Sequence, residues 1–60
     1  MEQASIEEAR RMLGEIVDRA RLAGAPTLIT RQGKPAAVVI NVTWYEHLKA
    51  LASDTKEQQR

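Results

Sequence analysis

Six of the nine basic residues in this 60-residue chain, Arg10, Arg11, Arg19, Arg21, Arg31 and Lys34, lie between positions 9 and 34, where only Glu15 and Asp18 oppose them. That stretch carries +4, while residues 1 to 8 hold three acids and no base, and residues 35 to 60 are balanced; the overall charge of +1 conceals the contrast. A concentrated cationic segment has the chemistry to meet phosphates. Part of it has a plainer use. Glu7 and Arg11, Arg11 and Glu15, and Glu15 and Arg19 are each four apart, the spacing of ion pairs along a solvated helix face. Arg31 and Lys34 have no such explanation, because no acid stands between Asp18 and Glu46. Arg10 faces Gly14 four residues ahead, with Glu7 behind it. These three are the foremost candidates for an anionic ligand.

Catalytic chemistry finds little material. Glu46 and His47 are adjacent, so on a helix their side chains diverge by about 100° and form no acid-base dyad. Ser5, Ser53 and the threonines have no base near them in sequence to activate a nucleophile. There is no cysteine and only one histidine, which excludes a disulfide and leaves no ligand set for a structural zinc. The three glycines lack phosphate-loop spacing. We expect no enzyme, no metal and no cofactor.

The elements that position the cations follow from periodicity. Ile6, Ala9, Met12, Leu13, Ile16, Val17 and Ala20 recur at intervals of three and four, predicting a helical region over 6–23. Ser5 and Glu8 form the ends of a capping box at its start, and Gly24 with Pro26 supplies the stop. Gly14 interrupts the pattern, so the region is either one helix or two that meet near Leu13 and Gly14. After Pro26 the period falls to two: Thr27 to Arg31 alternates, Gln32-Gly33 turns the chain, and Ala36 to Asn41 is apolar and β-branched. This predicts a β-hairpin with Pro35 at a strand start or on an edge. Thr43 to Glu46 reads as a second capping box before a last helix of about nine residues carrying Trp44, Leu48 and Leu51. Trp44 and Leu48 are expected to pack in the core, with Tyr45 and Leu51 facing outward. Residues 1–4 have room for a short edge strand. The fold class is α+β: a short N-terminal strand, one or two helices, a β-hairpin and a C-terminal helix, in one domain over 1–52 with a polar tail over 53–60.

Such a domain is poorly supplied with core. Of the 43% hydrophobic residues, nine are alanine and one is Met1, leaving sixteen larger side chains. Domains this small stay marginal without disulfides, a metal or a partner chain, and the first two are absent. A second copy is the economical partner, with Leu13, Ile16, Val38 and Ile40 as the expected dimer core. The N-terminus has no basic leader and the longest apolar run is Ala36 to Ile40, which supports neither a signal peptide nor a membrane span and points to a cytoplasmic protein.

The strings Ser5-Ile6-Glu7-Glu8-Ala9-Arg10-Arg11-Met12-Leu13-Gly14-Glu15-Ile16 and Pro26-Thr27-Leu28-Ile29-Thr30-Arg31-Gln32-Gly33-Lys34-Pro35-Ala36-Ala37-Val38-Val39-Ile40, followed by Tyr45-Glu46-His47-Leu48, closely resemble the Phd/YefM antitoxins of prokaryotic type II toxin-antitoxin systems. The resemblance covers about 5–52, and its hairpin is the most specific part. It implies a homodimer that binds a palindromic operator, represses its own operon and neutralises a cognate toxin through a carboxy-terminal segment. Carried over by position, Arg10 and Arg31 correspond to the family's operator-contacting arginines, with Lys34, Ser5 and Arg11 as lesser contacts. Family members commonly extend well past the last helix; here eight polar residues follow Ala52. The toxin-facing stretch is therefore expected over 44–60, with Trp44, Tyr45, Leu48 and Leu51 as its apolar contacts. The alternative is a protein-only interaction module whose basic segment is merely solvated.

Overall fold

The computed structural model describes residues 1–52. They form β1 (Glu2–Ser5), α1 (Ile6–Arg11), α2 (Leu13–Ala23), β2 (Thr27–Arg31), β3 (Lys34–Val39) and α3 (Val42–Ala52). The sheet order is β1-β2-β3, with β1 parallel and β3 antiparallel to the central β2. The expected α+β arrangement is thus present, including the N-terminal strand. Expectations for the polar tail over 53–60 lie outside the described residues.

Ser5 ends β1 and caps α1. Its Oγ accepts from the Glu8 amide at 3.2 Å, and Glu8 Oε1 accepts from the Ser5 amide at 2.9 Å, the reciprocal box read from the sequence. The helical region divides in two, and the break falls at Met12 (φ −114°, ψ 20°), before the expected Leu13-Gly14. Gly14 lies inside α2, and a Cβ there would meet nothing within 4 Å, so crowding does not account for the glycine. The kink keeps its hydrogen bonds: Met12 N–H donates to the Glu8 carbonyl at 3.0 Å, and Ile16 N–H to the Met12 carbonyl at 2.8 Å. Gly24 closes α2 in the left-handed region (φ 66°), the conformation for which a C-terminal glycine is suited.

The hairpin departs from expectation in one respect. Gln32 (φ 52°) and Gly33 (φ 76°) both have positive φ, as a two-residue type I′ turn requires, so Arg31 pairs directly with Lys34. β3 consequently begins at Lys34, two residues before the expected Ala36. An irregularity at Ile29/Thr30, where Ala37 and then Pro35 are the partners, makes Ala36 the extra residue. Pro35 sits on the edge strand, where its missing N–H costs no ladder bond in the sheet interior. At the other end β3 stops at Val39, because Asn41 draws the chain away to begin α3.

The core lies between the sheet and the helices: Ala4, Ile16, Ala20 and Thr27 are buried. Pairing places Ala4 beside Ile29, and two-residue alternation puts Thr27 on the same face. Gln3, Leu28 and Val38 share the opposite face. Ile16, grouped above with dimer contacts, is 0% exposed within the single chain and is a core residue of the protomer. Leu13 and Val38 are 53% and 47% exposed, and Ile40 is half-buried in the connection to α3.

Two expectations about α3 are corrected. Its cap is Asn41, whose Oδ1 accepts from the Trp44 amide at 2.7 Å; Thr43 lies within the helix, so the proposed Thr43–Glu46 box does not form. The asparagine offers a better-placed acceptor one residue before the helix begins. The helix also buries no residue: Trp44 and Leu48, expected in the core, are 49% and 50% exposed, as α3 packs little on the other elements. No described helix is long and apolar enough to cross a membrane.

Candidate nucleic-acid interface

The parallel register of β1 on β2 sets Ser5 opposite Thr30, one residue from Arg31, and the tight turn sets Lys34 opposite Arg31. Ser5, Arg31 and Lys34, far apart in sequence, are therefore gathered at one end of the sheet. α1 starts there, directly after Ser5, and packs on β1 and β2. Arg10 follows Ser5 by five residues, about 7.5 Å of helical rise, and it and Arg11 fall in the last turn of α1. Short loops and strand pairing thus hold these cations on rigid elements.

All four cations, Arg10, Arg11, Arg31 and Lys34, are exposed, and none forms an ion pair among the described residues. This bears on the solvated-ladder reading. Of the three i,i+4 pairs considered, the one formed is Glu15 with Arg19 at 3.8 Å. Arg11 lies in α1 and Glu15 in α2, on either side of the Met12 break, and no ion pair joins them. The cations nearest the sheet end keep their charge unmatched by neighbouring carboxylates. Ser5 is different: its oxygen already serves the α1 cap, which leaves its hydroxyl proton as the group it can offer a ligand.

A second surface lies on α3. Trp44, Leu48 and Leu51 are spaced as one helical stripe, with Val42 and Tyr45 to the side, and all five are exposed. Thr43, Trp44, His47 and Leu48 line an open, mainly apolar recess. Lys49 Nζ stands 5.6 Å from the Tyr45 ring centroid and 3.9 Å from Glu46, so the polar flank of the helix is internally paired. His47 belongs to this recess. Among the described residues no cluster of three metal-ligating side chains occurs.

Sequence reasoning missed one residue of this arrangement, Asn41. Its Nδ2 donates to the Ala20 carbonyl at 3.0 Å while its Oδ1 caps α3. The available signal was the rank of asparagine above threonine as an N-cap, three residues before Trp44.

One small α+β body thus carries two chemically distinct surfaces, a cationic sheet end and an apolar helix. Over residues 1–60 the chain matches the family described as the Phd_YefM antitoxin of type II toxin-antitoxin systems. A crystal structure described as PHD truncated to residue 57 superposes with a TM-score of 0.79 and 30% identity, covering 95% of this chain and 100% of that one. No curated relative matches. The chain belongs to the Phd/YefM antitoxin family, a family of non-enzymatic regulators.

Proposed function

We propose that this antitoxin is a homodimeric operator-binding repressor of its own operon that also neutralises a cognate toxin. The observation that carries the DNA-binding part is the gathering of Arg31, Lys34 and Ser5 at one sheet end beside α1, with the cations unpaired among the described residues. Arg10 and Arg31 present planar forks suited to guanine edges or phosphates. Lys34 and Arg11 act as point contacts to the backbone, and Ser5 adds a hydroxyl donor.

Dimerisation is supported by the apolar surface that the single protomer leaves open: among the described residues the buried apolar side chains are Ala4, Ile16 and Ala20, while Leu13 and Val38 stand about half-exposed. Leu13, Val38 and Ile40 are the proposed dimer contacts, while Ile16, enclosed within the protomer, supports them only from inside. Two-fold symmetry would duplicate the cationic end, so the operator is a palindrome. The apolar stripe of α3, Trp44, Leu48 and Leu51 with Tyr45, is the proposed toxin-facing surface, together with the residues that follow.

A gel shift with duplex DNA from the chain's own promoter region tests this. Binding that weakens steeply with salt and is reduced in Arg31→Ala supports it. Failure to bind at low salt, in a protein that still captures a toxin encoded beside it, establishes the protein-only interaction module instead.

A further inference from the structure

We infer that the Asn41 side chain is the positioning joint that fixes the direction of α3 on the body of the protein. The need for a joint arises at the end of α2. In a continuing helix the Gly24 N–H would bond the Ala20 carbonyl; here the left-handed Gly24 turns its N–H to the Arg19 carbonyl, and the Ala25 N–H bonds that same carbonyl at 3.2 Å. The Ala20 carbonyl is released from the helical ladder. Asn41 Nδ2 takes it at 3.0 Å, in a part-buried contact across 21 residues of sequence.

The same side chain's Oδ1 accepts from the Trp44 amide at 2.7 Å, and the Asn41 carbonyl accepts from Tyr45 N–H at 3.1 Å. One amide group therefore clasps the end of α2 with its donor and the start of α3 with its acceptor. The chemistry needs both halves of a carboxamide on a short stem. Aspartate caps helices well but has no donor, and serine's single hydroxyl, on a stem one atom shorter, does not span both the Trp44 amide and the Ala20 carbonyl. Aspartate would also set a carboxylate against the negative end of α2. Because α3 buries no residue and packs little elsewhere, this clasp bears more on its direction than apolar contact does.

The consequence for function rests on reading α3 as the partner-facing helix: its apolar stripe would be presented at a set angle to the cationic sheet end. The joint itself is measured on the free 60-residue chain, so its failure is separate from a failure of that reading. Trp44, the single tryptophan, lies in the first turn of α3 and reports its motion. In Asn41→Asp and Asn41→Ser the cap acceptor remains, so far-UV circular dichroism keeps its wild-type helical signal. The Trp44 anisotropy decay gains a segmental component of a few nanoseconds or less, and amides in the last turn of α2 exchange about fivefold faster, the worth of one net hydrogen bond. Asn41→Ala, lacking both halves, also loses helical signal. A wild-type anisotropy decay in Asn41→Ser overturns the inference and leaves Asn41 as a helix cap alone; if the aspartate variant unfolds, the serine variant decides.

Discussion

The cationic sheet end and α3 are built on opposite plans. At the sheet end, polar groups are held by dense local bonding: a reciprocal capping box, a parallel pairing and a two-residue turn place Ser5, Arg31 and Lys34 together while leaving the charges open. On α3, large apolar side chains stand in solvent on a helix joined to the body through its cap. A charge attracts its ligand from a distance and discriminates by direction, so it gains from a rigid mount. An apolar stripe has no long-range field and gains free energy only when a partner covers it. Exposure is tolerable for the first and a liability for the second, which is why the α3 surface calls for a protein partner.

The widest expected separation between the two regions is in stability. Ile16→Ala removes an enclosed side chain from the body and should cost about 2 to 5 kcal/mol in chemical denaturation. Leu48→Ala on α3 should change protomer stability by roughly 0.5 kcal/mol or less. An equal loss for both would show that α3 is buried in the dimer and would end the contrast drawn above. Next in size, Arg31→Ala should weaken operator binding by about 1 to 3 kcal/mol and flatten the dependence of affinity on salt; Leu48→Ala should leave both unchanged. Titration of promoter DNA at several salt concentrations measures this, and an unchanged Arg31→Ala would remove the sheet end from the interface.

Ser5→Ala separates the structural and binding uses of one residue. Loss of the cap should lower stability by about 1 kcal/mol, with a smaller effect on DNA affinity than Arg31→Ala has; the reverse order would promote Ser5 to a principal contact. The smallest effect is expected at the turn. Gln32 holds φ 52°, a region asparagine tolerates better, so Gln32→Asn should raise the thermal midpoint by a degree or two, equivalent to a few tenths of a kcal/mol. A lower midpoint would mean that the glutamine side chain contributes something the backbone does not require.

Local signals were legible in the residues themselves. Ser5 and Glu8 announced the first cap, Gly24 the end of α2, and Gln32-Gly33 the turn, because each rests on bonds between near neighbours in sequence. The site was legible by halves. Charge placement selected Arg10, Arg31 and Lys34, but nothing local could set Ser5 beside Thr30, since that depends on pairing between strands more than twenty residues apart. The two misreadings at α3 have different causes. The Thr43–Glu46 spacing fits a capping box, but Asn41, which sequence reading passed over, holds the cap; and apolar spacing puts Trp44 and Leu48 on a face that must be covered without stating by what.

The sequence by itself determined the element types, the isolation of Arg31 and Lys34 from acids, and the shortage of core, which follow from composition and from intervals of a few residues; the family came from the resemblance of whole motifs. Only the tertiary structure decided that the cations share one end of a sheet, that Ile16 is enclosed within a protomer, and that α3 stands open on an asparagine clasp. Those outcomes depend on which distant segments meet, and on a carbonyl of α2 released by the turn at Gly24 and taken by a side chain 21 residues away.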